Sequence, residues 1–192
     1  MMLTQLATIK TRLGISDTTD DTLLTNFIEF ASARFERDTN RSLERGVNTT
    51  EEFSADQTEI LVARFPLESV FSFHLKANET DGWLLQSNVD YLIRHACVIS
   101  LSVPLGTKYE QARVTFTAGY VLPGTTPGAG QTALPDDLDH ACVEQIAYWY
   151  QNRHRLGLLS VPAEGRTFFN VAQIDLLPQV KSIVKRYERF AL

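Results

Sequence analysis

Apolar residues recur at three- and four-residue spacing between residues 135 and 154, and this pattern predicts an amphipathic helix. Pro135 suits the first helical position, because its missing N–H is not needed there. Carboxylates crowd the first turn and arginines lie at the other end, as the helix dipole favours. The predicted apolar face contains Leu138, Ala141, Cys142, Ile146, Trp149 and Tyr150. A face this broad must be covered, so we expect this helix to lie at the centre of a helical core.

The same spacing predicts three more helices, at about residues 4–14, 19–38 and 178–190. Gly14 ends the first of them, as glycine commonly does at a helix C-terminus. The apolar face of the second contains Leu23, Leu24, Phe27, Ile28, Ala31 and Phe35. We expect this face to pack against the helix at 135–154, so that the helices form an antiparallel bundle.

Between about residues 46 and 120 the period changes to two, which is typical of β-strands. Phe71, Phe73 and Leu75 alternate with polar residues. The strands are short and are joined by turn-length segments, which favours antiparallel pairing because parallel strands need long crossovers. The predicted fold is therefore α+β but mainly α. In a single domain, residues 1–192, an antiparallel helical bundle carries a small inserted antiparallel β module.

Composition and charge narrow the classes of function. The chain has 192 residues, an ordinary hydrophobic content of 44% and a formal net charge of -5. A negative chain argues against tight nucleic-acid binding, which needs a basic surface to meet the phosphates. No apolar run approaches the ~18 residues of a membrane span, so no membrane association is expected. Cys97 and Cys142 lie far apart, and we interpret them as reduced thiols rather than as a disulfide or a metal pair.

One set of residues could carry chemistry. Asp136, His140 and Glu144 are spaced i, i+4 and i+8, so they lie along one stripe of the central predicted helix. Neighbouring ligands at this spacing can bind a metal ion, but three in a straight row do not converge on one ion without further ligands. A solvated polar stripe explains the same residues. We predict no catalytic residue, no cofactor and no metal site, and we keep a small metal-dependent enzyme as an alternative.

The last predicted helix is basic in a chain that is acidic overall. One interpretation is a solvated helix face, since cations near a helix C-terminus are favourable in any case. The other is a terminal segment that docks on a partner, because chain ends are mobile unless something holds them. The candidate docking residues are Val180, Lys181, Ile183, Val184, Lys185, Tyr187, Arg189 and Phe190.

Seven segments follow one another along the chain: LATIKTRLGI, DTTDDTLLTNFIEFASARFE, FPLESV, VDYLIR, RVTFTAGY, LPDDLDHACVEQIAYWYQNR and LLPQVKSIVKRYERF. Together they extend over most of the sequence. The most specific are TAGY followed after a loop by LPDDLDHAC, and LPQVKSIVKRY near the end. Their order resembles that of the head–tail connector proteins of long-tailed phages, also called adaptor or head-completion proteins.

The resemblance implies a structural, non-enzymatic protein of the virion neck. Such a protein assembles in the host cytoplasm into a homo-oligomeric ring, expected to be a dodecamer. The ring binds the portal protein, receives a stopper or tail-completion protein, and extends the DNA channel toward the tail without binding the genome tightly. The resemblance also implies that the segment at 180–190 grips the portal. A tail-completion or tail-terminator ring is the alternative within the virion.

Overall fold

Helices and strands hold similar shares of the chain, 30% and 28%. The structure is a computed structural model, and it describes residues 1–156, 161–163, 166–168 and 174–189. The chain divides into two compact units. The helical unit comprises Met1–Asn40, Leu122–Gly124 and Leu134–Arg189, and the β unit comprises Arg41–Val121, Thr125–Ala133 and Phe190–Leu192.

Four α-helices lie in the described part of the helical unit. They are α1 (Leu6–Leu13), α2 (Asp21–Thr39), α3 (Asp136–Gln151) and α4 (Pro178–Arg186). Left-handed residues end the first two: Gly14 has φ 70° and Asn40 has φ 51°. The backbone N–H of each bonds back to the last helical turn, which satisfies carbonyls that the helix itself leaves open. Among the described helices, none has the length and apolar character required to cross a lipid bilayer.

The apolar faces of α2 and α3 pack against each other. Trp149 is buried, and its ring centroid lies 6.2 Å from that of Phe27 and 5.1 Å from that of Phe30. The buried apolar residues of the two helices include Leu24, Ile28, Ala31, Phe35, Leu138, Ala141, Cys142 and Ile146. All of these belong to the faces that the three- and four-residue spacing indicates. The helical unit is therefore built on this pair of helices.

Eleven strands lie in the described residues. They are β1 (Gly46–Ser54), β2 (Glu59–Leu61), β3 (Leu67–Lys76), β4 (Leu84–Gln86), β5 (Tyr91–Arg94), β6 (Val98–Leu101), β7 (Gln111–Ala118), β8 (Tyr120–Val121), β9 (Thr132–Ala133), β10 (Val161–Ala163) and β11 (Arg166–Phe168). The β unit holds a four-stranded sheet in the order β1-β7-β3-β4, a three-stranded sheet in the order β2-β6-β5, and the pair β8-β9. The pair β8-β9 is parallel, and the other pairs are antiparallel.

The two larger sheets share one apolar core. Phe73, Val114 and Phe116 contribute to it from the four-stranded sheet, and Ile60 and Ile99 from the three-stranded sheet. The prediction of a mainly helical bundle with a small β insertion is therefore wrong. The β region buries a core of its own. Beside the long strands β1, β3 and β7 it contains β2, β4, β5 and β6, which have three or four residues each, and an alternation that short does not indicate a second sheet.

Candidate interaction surfaces

Helix α4 carries the predicted docking residues, and a buried side chain fixes where it begins. Gln145 on α3 is fully buried, and its Oε1 accepts a hydrogen bond of 2.7 Å from the backbone N–H of Leu177. Leu177 immediately precedes α4. The first N–H groups of a helix have no partner within the helix. Gln145 therefore supplies an acceptor that ties the start of α4 to α3.

The predicted docking residues divide into buried and exposed groups. Val180 and Val184 are buried within the helical unit, so these two side chains anchor α4 on it. Lys181 and Lys185 are exposed, and Ile183 is half-buried. The surface that α4 presents is therefore cationic, with little apolar area.

The end of α4 is also held by the helical unit. The Tyr187 hydroxyl donates a hydrogen bond of 2.6 Å to Oδ1 of Asp137 in the first turn of α3. The backbone N–H of Arg189 donates to the carbonyl of Thr39 at 2.8 Å. Phe190, the last of the predicted docking residues, lies outside the described residues.

Two of the cations on α4 make ion pairs within the helical unit. Lys181 Nζ pairs with Asp175, and an Arg186 guanidinium nitrogen lies 3.1 Å from Oδ2 of Asp137. The hydrogen bond from Lys181 holds the pKa of the Asp175 carboxyl below its ordinary value. Lys185 is exposed on the same helix. Ion pairs this exposed contribute little to stability, so these cations can exchange their partners at modest cost.

In the structure, the three residues of the candidate metal stripe have different surroundings. Glu144 accepts two hydrogen bonds from the Arg12 guanidinium, at 2.7 and 3.1 Å, which hold its pKa below the ordinary value. Asp136 and His140 line an open groove of about 640 Å³ between α1 and α3. Within the described residues, no group of three or more His, Cys, Asp or Glu side chains is arranged to hold a metal ion.

The Arg12–Glu144 pair makes the stability of the helical unit depend on pH, and the pKa shift of Glu144 gives the direction of this dependence. The pKa of Glu144 is lower in the folded state than its unfolded value of about 4.3. Its contribution to stability is therefore present above about pH 4.3 and is lost as the pH falls through the folded-state pKa. We expect Glu144→Gln to flatten the fall in the free energy of unfolding at acid pH, as measured by urea denaturation between pH 2.5 and 7.

Arg12→Gln is the matched variant for this prediction, because it removes the cause of the low pKa from the other side of the pair. It should flatten the same limb of the pH profile. If the free energy of unfolding falls as steeply at acid pH in both variants as in the wild type, the pH dependence does not come from the Arg12–Glu144 pair.

The two cysteines differ in their surroundings. Cys142 is buried in α3, and desolvation raises the pKa of its thiol, with the nearby Asp139 carboxylate adding to the effect. A thiol kept protonated in this way is a poor nucleophile and a poor metal ligand. Cys97 is half-buried, and neither cysteine forms a disulfide.

An exposed apolar surface lies on the β unit. We call it the apolar edge patch, and its side chains are between 38% and 76% exposed. Its members are Phe71, Leu84, Leu85, Tyr91, Leu92 and Ile93. Beside them runs a groove of about 400 Å³ whose walls include Val70, Gln86 and Val89. By their registers, Leu84 and Leu85 lie on opposite faces of the four-stranded sheet, and Leu92 lies on the opposite face of its sheet from Tyr91 and Ile93. The exposed side chains therefore surround these strand edges, and exposed apolar side chains at a strand edge commonly mark an interaction site.

Sequence reasoning misplaced one member of this patch, Phe71, because of an irregularity in β3. Phe71 and Phe73 alternate with polar residues, so the sequence places both on the same buried face. The register of β3 against β7 shifts between Val70 and Ser72. Such a bulge adds one residue and redirects the side chains around it. Phe71 is consequently 76% exposed, whereas Phe73 is buried.

A family of proteins matches nearly the whole chain. The family model described as head completion protein matches residues 2–190. Among curated protein sequences, none matches the chain significantly.

Solved structures share the fold at low sequence identity. One is a chain from the neck of an empty GTA particle computed with C6 symmetry, with TM-score 0.59, 17% identity, and coverage of 97% of this chain and 90% of that one. A second is from the virion of a native gene transfer agent (GTA) particle, with TM-score 0.59, 16% identity, and coverage of 97% and 90%. A third is from the neck of a native GTA particle computed with C12 symmetry, with TM-score 0.56, 17% identity, and coverage of 97% and 89%.

Proposed function

The chain belongs to the head completion protein family, and we propose that it is a structural connector of the virion neck. In this proposal it assembles as a ring beneath the portal, joins the DNA-filled head to the tail, and receives a stopper or tail-completion protein on its other side. The observation that carries the proposal is the family match over residues 2–190.

A ring of twelve copies is the proposed assembly. Cyclic symmetry of order 6 and 12 in the necks that share this fold supports it. The charge of the chain suits a conduit for DNA. A formal net charge of -5 disfavours tight phosphate contacts, so the genome slides through the ring without being held.

Helix α4 is the proposed contact with the portal. Its buried valines hold it on the helical unit, and its exposed lysines project from the surface. Complementary charge speeds association and fixes the orientation of partners more than it adds affinity. An acidic surface on the portal is therefore the expected counterpart of Lys181 and Lys185.

The family description favours the head side of the neck over a tail-completion or tail-terminator ring. The alternative of a metal-dependent enzyme is disfavoured, because the carboxylate of Glu144, one of the three candidate metal ligands, is paired with Arg12. We therefore retain a non-enzymatic structural role.

The direct test is assembly with the purified portal protein. The full chain mixed with portal rings should give a complex that elutes earlier in size-exclusion chromatography, and electron micrographs should show an added ring on one face of the portal. Failure to bind over a range of salt and protein concentrations would contradict the proposal.

The contact through α4 can be tested by charge reversal. Lys185→Glu should weaken binding to the portal about tenfold, because the reversed charge now repels an acidic counterpart. Titration by biolayer interferometry at two salt concentrations measures this, and the difference should shrink at high salt. Arg155→Glu reverses an exposed cation of the helical unit that lies outside α4, and it serves as the control. Equal affinities of the two variants would refute α4 as the portal contact.

A further inference from the structure

The apolar edge patch is large enough to form the centre of a stable interface. Side chains of this size and exposure present about 100 Å² each, so the patch offers about 600 Å² of apolar surface. A stable interface takes about 800 Å² from each partner. About 600 Å² is at the upper end of the largest apolar patch on a typical monomer, and patches of this size are often interaction sites.

The patch lies where the four-stranded sheet is open to further pairing. Within the described residues, strand β4 pairs only with Phe73–Leu75, through Gln86 to Leu84. The earlier residues of β3, including Phe71, therefore have β7 on one side and no described strand on the other. Strand β5 is the end strand of its own sheet. Unpaired strand edges are ready-made templates for pairing with another chain.

The opposite edge of the same sheet also carries exposed apolar side chains. That edge is β1, which has β7 as its one partner among the described strands. Val47 on β1 is 60% exposed, and Tyr109, two residues before β7, is 84% exposed. Both edges thus present apolar groups, although β1 and β4 lie at opposite ends of the sheet.

The apolar groups on the two edges lie at similar positions along the strands. We call this position the level, and we measure it by the β7 residue with which each group is aligned. Along β7, both Phe71 and Val47 lie close to the level of Phe116, as the registers of β3 and β1 show. Leu84 lies at the level of Ala112, near the start of β7, because Leu75 pairs with both. Tyr109 lies three residues before Ala112 in the chain, beyond the last residue pair of β1, Ser54 with Gln111. An edge-to-edge contact would therefore bring Val47 toward the open position beside Phe71, which β4 does not fill, and Tyr109 toward Leu84.

The strand directions suit a head-to-tail contact. Neighbouring strands alternate in direction across β1-β7-β3-β4, so β4 runs opposite to β1. If a second copy continues the sheet in the same orientation, its β1 lies antiparallel to β4 of the first. Contacts between two different surfaces of one chain are those that close a ring.

We propose that neighbouring copies in the ring meet through opposite edges of the four-stranded sheet. The apolar edge patch of one copy is covered by the β1 edge of the next, with Val47 and Tyr109 contributing to the contact. The inference rests on the proposed ring and identifies the surface on which it closes. A second copy is the occupant because the interface then buries the patch on every copy, as a permanent assembly requires.

Two variants, each with one altered edge, test the proposal. Phe71→Asp with Leu85→Asp alters the patch, and Val47→Asp with Tyr109→Asp alters the opposite edge. All four side chains are exposed, so both variants should fold, as circular dichroism would verify. If an aspartate pair lowers the melting temperature, serine at the same two positions replaces it. The control is Met2→Asp with Ile174→Asp, at exposed apolar residues of the helical unit.

The readout is chemical cross-linking of the full chain, alone and with portal rings, followed by native mass spectrometry. The wild type and the control should give species up to the complete ring. Each edge variant alone should lose cross-linked neighbours at least tenfold. An equal mixture of the two should form dimers and nothing larger, because each pair retains a single intact junction.

The other outcomes separate this inference from the proposed function. Rings formed by both edge variants would overturn the sheet-edge contact and leave the connector role standing. Dimers formed by one edge variant alone would overturn the head-to-tail arrangement. A wild type that forms no oligomer, with or without the portal, would overturn the proposed ring and this inference with it.

Discussion

Trp149→Ala is expected to lower the free energy of unfolding by about 3–5 kcal/mol, since truncating a buried tryptophan removes its burial and leaves a cavity. Trp149 is the largest fully buried side chain of the helical unit, and it contacts Phe27 and Phe30 of α2. Its Nε1 also donates a hydrogen bond of 3.2 Å to the carbonyl of Ile174. The substitution therefore removes contacts to α2 and to the segment before α4 together. Urea denaturation of the purified protein measures the loss.

Two further variants separate packing from the loss of an aromatic residue as such. Trp149→Phe keeps most of the packing and loses the hydrogen bond, so it should cost about 1–2 kcal/mol. Tyr109→Ala removes an aromatic ring that is almost fully exposed, and it should change stability by less than about 0.5 kcal/mol. Similar losses for Trp149→Ala and Tyr109→Ala would contradict the packing of α2 against α3.

Gly119→Ala should destabilise the β unit by at least about 3 kcal/mol, because backbone strain and a steric clash act together. Gly119 follows β7 with φ 106°, a region that residues with a side chain rarely adopt. A Cβ there would lie 2.5 Å from the carbonyl oxygen of Glu44 and 2.7 Å from Cα of Arg45. Backbone atoms cannot move aside as a flexible side chain can.

Gly82→Ala is the matched control for this substitution. Gly82 also has positive φ, at 67°, but an added Cβ would have no neighbour within 4 Å. Its cost should be about 1 kcal/mol, which reflects the left-handed conformation alone. A difference of at least 2 kcal/mol between the two variants is expected in thermal or urea denaturation, and equal costs would contradict the close approach at Gly119.

The resemblance to head-completion proteins, made on the order of the motifs, is confirmed by the family match. The spacing of apolar residues was informative for the two long helices. For α2 and α3 it indicated buried residues such as Phe35 and Trp149. Over many turns the helical period repeats often enough to distinguish a buried face from an exposed one.

The extent of the β unit was not predictable in the same way. The four residues of β5, Tyr91–Arg94, are all exposed, so no alternation of buried and exposed positions marks that strand. The bulge at Phe71 depends on how β3 is aligned with β7, which is a property of the pairing and leaves no local signal. The sequence therefore indicated strands in this region but neither their core nor their exposed patch.

The contacts of the candidate surfaces also depend on residues that are distant along the chain. Arg12 and Glu144 are 132 positions apart, and Gln145 fixes the start of a helix that begins more than 30 residues later. The sequence identified α4 as a basic terminal helix. Which of its residues are buried could not be assigned without knowing the helices on which it packs.

The most direct test of the connector role is a cryo-electron microscopy reconstruction of the neck of the intact particle at side-chain resolution. We expect a closed ring of this chain directly beneath the portal, with the exposed face of α4 against the portal surface. A ring of this chain at the tail end of the neck, or particles with complete necks that lack the chain, would contradict the account.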